Sequence, residues 1–167
     1  MPKVDILAIG AHPDDVELSC SGLLAKEIDN GKSVAILDLT QGELGTNGDE
    51  ITRKQEAEKA ADSLGAKSRR NLAMPDAFFE NNKENQLLIV EQIRDFQPDV
   101  VLCNAIDDRH IDHPRAAKLV HDACFLSGLA KVETQLNNNQ QKKWRPKHIL
   151  HYIQWFDLEP DVIIDIS

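Results

Sequence analysis

The chain has no Cys-x-x-Cys pair and only three cysteines, Cys20, Cys103 and Cys124, scattered through 167 residues. An odd, widely spaced set excludes a disulfide framework and implies a reducing, cytoplasmic setting. Each thiol is expected as a small buried hydrophobe. No apolar run is long enough to cross a bilayer. Residues 4–9 are too few for the hydrophobic region of a signal peptide and read as a strand. Basic residues are also scarce: 19 Lys and Arg against 28 Asp and Glu give a net charge of −9. That excludes general binding to nucleic acid or to an anionic membrane, and leaves only a local cationic pocket open. There is no internal repeat and no domain boundary. A single domain over residues 1–167 is expected, long enough for a real core.

Strand and helix patterns alternate, the signature of an α/β domain. Strands are expected at residues 4–9, 33–39, 71–74, 99–104, 149–154 and 162–166. Helices are expected at 16–29, stopped by Asn30-Gly31, and at 51–64, capped by Thr52 and stopped by Gly65. Two more are expected at 85–96, ended by Pro98, and from Pro114 to Ser127. Leu88, Ile89, Gln92, Ile93 and Phe96 fall on one face of the third helix. The polar run 137–143 is expected as a mobile surface loop.

Two places concentrate chemistry. Ala11-His12-Pro13-Asp14-Asp15 follows the first buried strand, and Asp107-Asp108-Arg109-His110-Ile111-Asp112-His113 follows the fourth. Charged groups at a strand end are costly to bury without a partner, and a metal ion is one that accounts for them. In open α/β sheets ligands gather at the carboxyl ends of strands where the strand order reverses, which puts both segments on one crevice. A catalytic zinc site needs three protein ligands and an open position. His12, Asp15 and His113 supply two nitrogens and an oxygen. Asp14 stays free to act as base, and His110 or Asp112 to orient or donate a proton. Each residue also has a plainer reading. Asp14-Asp15 and Asp112 would serve as helix caps, and His110-x-x-His113 as an incidental pair. His121 is expected to be structural, and His148 and His151 to have no ligand role.

Arg53 and Arg109 are candidates to hold a carboxylate or phosphate, the plainer reading of Arg53 being an ion pair with Glu50 or Glu56. The glycine-rich loop 42–48 offers backbone N–H groups to an anion, but it lacks the phosphate-loop pattern.

The paired motifs resemble the PIG-L/LmbE-like family of zinc-dependent N-acetylglucosaminyl deacetylases. Thr40-Gln41-Gly42-Glu43-Leu44-Gly45-Thr46 and Arg53…Glu56-Ala57 resemble its bacillithiol-producing branch, which acts on N-acetylglucosaminyl-malate. The resemblance implies a Rossmann-like three-layer sandwich with a mostly parallel sheet. It implies Zn²⁺, or Fe²⁺, on His12, Asp15 and His113, with Asp14 as general base. It implies His110, steadied by Asp112, at the oxyanion or leaving amine. Arg53 would meet the malate carboxylates, and Arg109 would join it in binding substrate. It also implies a small-molecule partner and a homo-oligomer, a hexamer in the family. Family members continue well beyond the position of Ser167, so a C-terminal segment is expected to be missing. Three rival readings stand: a deacetylase of another N-acetyl sugar, such as a chitin-derived disaccharide or an antibiotic intermediate; an iron oxygenase built on a two-His, one-carboxylate triad; and a non-catalytic binding module on the same fold.

Overall fold

The computed structural model describes residues 3–46 and 50–167, with the backbone alone for Glu50. Five parallel strands form one sheet: β1 (Ile6–Gly10), β2 (Val34–Thr40), β3 (Ser68–Met74), β4 (Val100–Cys103) and, last in the chain, β7 (His148–His151). Their order is β3-β2-β1-β4-β7. The helices between them are α1 (Asp15–Asp29), α2 (Glu50–Leu64), α3 (Lys83–Phe96) and α4 (Asp112–Ser127).

Every residue of β1 and β2 is buried, as expected of strands covered on both faces. Successive side chains point to opposite faces. Ile6, Ala8, Val34 and Ile36 pack with Val16, Cys20 and Leu24 of α1 and Ala61 of α2. Leu7, Ile9, Ala35 and Leu37 pack with Ile89, Ile93 and Phe96 of α3 and Leu119, Val120 and Ala123 of α4. The helices therefore form two outer layers. Gly31, at φ +83, ends the first helix as its sequence suggests. Gln97 takes a left-handed conformation at φ 49 to close α3, its N–H donating to Ile93 O at 2.8 Å.

The chain builds the sheet outward from β1 through β2 to β3, then returns to place β4 on the other side of β1. The strand order reverses between β1 and β4, and the two motif-bearing loops leave from these adjacent strand ends.

Several expected boundaries are corrected. The third strand begins at Ser68, three residues early, because Arg69 and Arg70 hide its character. Arg69 is tied to Asp38 by Nε (2.7 Å) and Nη2 (2.9 Å), and it also pairs with Glu17. Arg70 pairs with Asp95 at 2.7 Å. Neutralised cations sit in a strand that propensity reads as polar. Thr52 lies inside α2 rather than capping it. The run 137–143 is partly ordered: β5 (Gln135–Leu136) and β6 (Asn139–Gln140) form an antiparallel hairpin. Asn137 and Asn138 turn it at φ 50 and 63, the left-handed pair that a two-residue hairpin requires. Residues 162–166 form no strand, and Val162, Ile163, Ile164 and Ile166 are exposed. This tail crosses α1 instead: Ile166 sits over Gly22, and Lys26 Nζ donates to Asp165 O at 2.7 Å. An apolar run becomes a strand only when a sheet edge takes it.

Candidate metal centre and acid–base site

The segment after β1 is held tightly. Ala11 N–H donates to Asn104 Oδ1 at 2.9 Å, and Ala11 O accepts from Thr40 N–H and Thr40 Oγ1. A Cβ on Gly10 would stand 3.0 Å from His12 O and 3.1 Å from Asp15 Cβ. That close approach lets the chain turn directly from strand to helix.

The turn buries the His12 ring among carboxylates. Nδ1 lies 3.5 Å from Asp15 Oδ2, and Nε2 lies 3.1 Å from Asp76 Oδ1 and 3.2 Å from Asp112 Oδ2. Burial opposes a charge on this imidazole, but the hydrogen bond and charge of Asp15, aided by Asp76 and Asp112, outweigh it. Its pKa is raised from 6.5 to about 9.

Asp15 does not cap α1. The residue is 4% exposed, and its carboxylate meets protein groups on both oxygens. Oδ2 accepts from His12 N–H at 3.0 Å and Asn104 Nδ2 at 2.9 Å. Oδ1 accepts from Gln154 Nε2 at 3.0 Å and faces His113 Nε2 at 3.2 Å. Burial works against its charge, yet His113 and His12 hold the carboxyl well below the usual carboxylate range.

The loop after β4 and the first turn of α4 supply the rest. His113 Nδ1 stands 3.0 Å from Asp108 Oδ1, out of line for a hydrogen bond. The His110 ring stacks on His113 with centroids 5.0 Å apart and meets His12 edge-on at 4.6 Å. Burial, with the neighbouring His12 and His113, lowers the His110 pKa. Asp112 is fully buried, and its charge acts on the nearby His110 imidazole, favouring the protonated form. Its carboxylate meets His12 Nε2, accepts from Ala77 N–H at 2.9 Å and pairs with Arg115 at 2.7 Å. Its hydrogen bond to His110 is through the backbone: Asp112 N–H donates to His110 Nδ1 at 3.3 Å. Asp112 thus meets His110 through its backbone and His12 through its carboxylate. That side chain orients His12.

Asp14 occupies the N-cap position of α1 without capping it through its side chain. It opens instead into a cavity of about 490 Å³, which Asp15, His12, His110, His113, Arg53 and Arg109 also line. Arg53 approaches Asp14 at 3.7 Å and donates to Gly42 O at 2.8 Å. It takes the space that side chains on Gly42 (φ +64) and Gly45 would fill. The glycines of this loop thus make room for an arginine. Their N–H groups are engaged within the protein: Gly42 with Thr40 Oγ1, Gly45 with Gly42 O, and the intervening Leu44 with Asp76 Oδ2. Asn47, Gly48 and the Glu50 side chain lie outside the described residues. Arg109 lies over the Trp155 ring at 4.2 Å.

All eight residues singled out by sequence therefore border one site. Three others escaped notice. Asp76 follows β3 and Pro75, a strand-end carboxylate like the rest, and that position is the signal that was available. Asn104 and Gln154 carried none. His121 is exposed on α4. His151 Nδ1 faces Asn104 O at 2.8 Å and Cys103 Sγ at 3.3 Å.

The donor chemistry fits a divalent cation. Ligand atoms of His12, His110 and His113 lie within 4.8 Å of one another, as do those of His12, Asp76 and Asp112, and Asp15 borders both His12 and His113. Imidazole and carboxylate donors converge, and the buried His113 Nδ1 has no aligned partner.

The sequence matches the profile of the PIG-L family, GlcNAc-PI de-N-acetylase, over residues 7–124. The chain belongs to the PIG-L family. It is 31% identical to the diacetylchitobiose deacetylase of Thermococcus kodakarensis over 97% of its own length and 63% of that protein. It is 34% identical to the uncharacterized deacetylase YaiS of Escherichia coli K12, over 65% of this chain and 61% of that protein. It thus spans less than two thirds of each of these relatives. Among solved structures, the conserved protein TT1542 of Thermus thermophilus superposes with a TM-score of 0.91 at 34% identity. The match covers 98% of this chain and 72% of that one. The N,N'-diacetylchitobiose deacetylase of Pyrococcus horikoshii superposes at 0.84 and 24% identity over 98% and 64% of the two chains, a likeness of fold. No helix among the described residues is long and apolar enough to cross a membrane.

Proposed function

We propose that this PIG-L chain hydrolyses the N-acetyl group of an N-acetylglucosaminide, using an ion held by His12, Asp15 and His113. The observation that carries the reading is Asp15, a buried carboxylate facing both imidazoles beside a cavity that also exposes Asp14. A divalent ion there, Zn²⁺ or Fe²⁺, supplies Lewis acidity, acidifying water and polarising the acetamide carbonyl. Asp14 takes the proton of the attacking water. His110, at the cavity edge, donates to the tetrahedral oxyanion or to the departing nitrogen. The C–N bond breaks as the nitrogen takes up one proton, Asp14's directly or His110's with Asp14 then restoring it, so that the amine and acetic acid leave and ionise in water to ammonium and acetate.

For the aglycone, the proposal is malate. Its support is the resemblance of loop 40–46 to the bacillithiol branch and the two guanidinium groups, Arg53 and Arg109, on the cavity wall. A second reading, a chitin-derived disaccharide, is favoured by the Thermococcus relative and by Trp155, whose exposed ring suits the apolar face of a sugar. The metal-loaded chain would be incubated with N-acetylglucosaminyl-malate, diacetylchitobiose and N-acetylglucosamine, and free amine assayed. Fastest release from the malate glycoside is expected. Preference for diacetylchitobiose selects the second reading, and no release from any of them overturns both.

A further inference from the structure

We infer that Asn104 and Gln154 form an amide clamp that sets the plane of the Asp15 carboxylate and so determines how tightly the site holds a metal. Asn104 follows β4 and is wholly buried. Its Oδ1 accepts from Ala11 N–H, and its Nδ2 donates both to Asp15 Oδ2 (2.9 Å) and to Gln154 Oε1 (2.8 Å). Gln154 closes the ring by donating from Nε2 to Asp15 Oδ1 at 3.0 Å. A carboxylate is acceptor-only when ionised, and each of its oxygens here receives one side-chain amide donor, Oδ2 the His12 backbone N–H as well. These bonds end on a charge, the stronger class of hydrogen bond. They leave Oδ1 turned to His113 Nε2.

The clamp also joins three segments far apart in sequence. Asn104 spans the ends of β1 and β4. Gln154 belongs to the stretch after β7, pinned by Tyr152 N–H to Cys103 O at 2.9 Å and by Tyr152 Oη to Ile9 O at 2.8 Å. Loss of a residue that orients a metal ligand typically lowers affinity about 10- to 100-fold without removing any ligand. Both residues are positioning residues, and the inference rests on the metal reading above.

The test is the Zn²⁺ dissociation constant, measured by competition with a chromophoric chelator, together with the melting temperature of the metal-free protein. Gln154→Met keeps the side-chain length and removes both hydrogen bonds. Its Zn²⁺ affinity is expected to fall about 10- to 100-fold, while the metal-free protein stays folded with its melting temperature lowered only by the two lost hydrogen bonds. Asn104→Ala is expected to fall further, but it also orphans Ala11 N–H, so if it does not fold, Gln154→Met decides alone. Wild-type affinity in folded Gln154→Met overturns the clamp. Absence of Zn²⁺ binding by the wild-type chain overturns the metal reading beneath it.

Discussion

Arg53 joins the loop after β2 to the first turn of α1: its Nη1 donates to Gly42 O at 2.8 Å while its Nη2 stands 3.7 Å from Asp14 Oδ2. Asp14 is therefore left without a short hydrogen bond to a cation, in contrast to Asp15 beside it. Two adjacent carboxylates thus have different surroundings, one 53% exposed at its side chain and one 6%. Asp14, paired with Arg53 only at 3.7 Å and lining the cavity, is the one of the two open to a water there. Asp14→Asn is expected to lower kcat by about 10²- to 10⁴-fold while bound metal, measured by elemental analysis, stays at the wild-type level. Unchanged turnover would remove Asp14 from the mechanism.

Arg53→Lys keeps the charge but loses the planar fork. For an anionic glycoside KM is expected to rise about tenfold, a loss of about 1.4 kcal/mol. KM for neutral diacetylchitobiose should change less. Steady-state kinetics on the two substrates separate a carboxylate-binding role from a merely structural one, which would affect both alike.

Zn²⁺ should raise the melting temperature, since an ion that binds only the folded state at a hundred times its Kd adds about 2.7 kcal/mol. His113→Ala is expected to abolish that increment. Scanning calorimetry with and without metal checks it. An undiminished increment in the variant favours the acidic group of His12, Asp76 and Asp112 as the holding site, and absence of any increment in the wild-type chain favours a non-catalytic module.

Arg94 is a stability residue remote from the cavity. Buried at 4% exposure, it donates to Ser127 O, Leu129 O, Val132 O and Thr134 Oγ1 at 2.7–3.1 Å. It thereby ties the last carbonyl of α4 to those of the loop that follows the helix. Arg94→Ala is expected to cost about 3 kcal/mol in urea unfolding, with turnover per folded molecule preserved.

The three thiols are buried. Desolvation pushes Cys20 and Cys124 from about 9 up to about 12, and Cys103 well up. The folded state therefore favours the protonated form, so their contribution is fully present below about pH 9 and is lost as pH rises toward 12. At pH 8, Ellman's reagent is expected to label none of them until denaturant is added, and unfolding stability to fall above pH 9.

The central strands were legible because burial on both faces demands continuous apolar runs, as in Val34 to Leu37. The helices followed from their stop signals. β3 was partly hidden because Arg69 and Arg70 are neutralised by residues tens of positions away. Residues 162–166 satisfy a strand's composition but run to α1, where Ile166 sits over Gly22, and pair with neither edge strand, β3 or β7.

By itself, the sequence determined the alternation of strands and helices and the two motifs, His12-Pro13-Asp14-Asp15 and Arg109-His110-Ile111-Asp112-His113. Each of those features is local: a hydrophobic run, a glycine stop, a cluster of charges too costly to bury alone. Only the tertiary structure decided which carboxylate serves which partner. It turned Asp112 to His12, brought Asp76 in from β3, and closed Asn104 and Gln154 on Asp15. Such contacts span 64 residues for His12 with Asp76 and 139 for Asp15 with Gln154. At that separation no periodicity in the chain records them, and only the order of strands in the sheet brings them together.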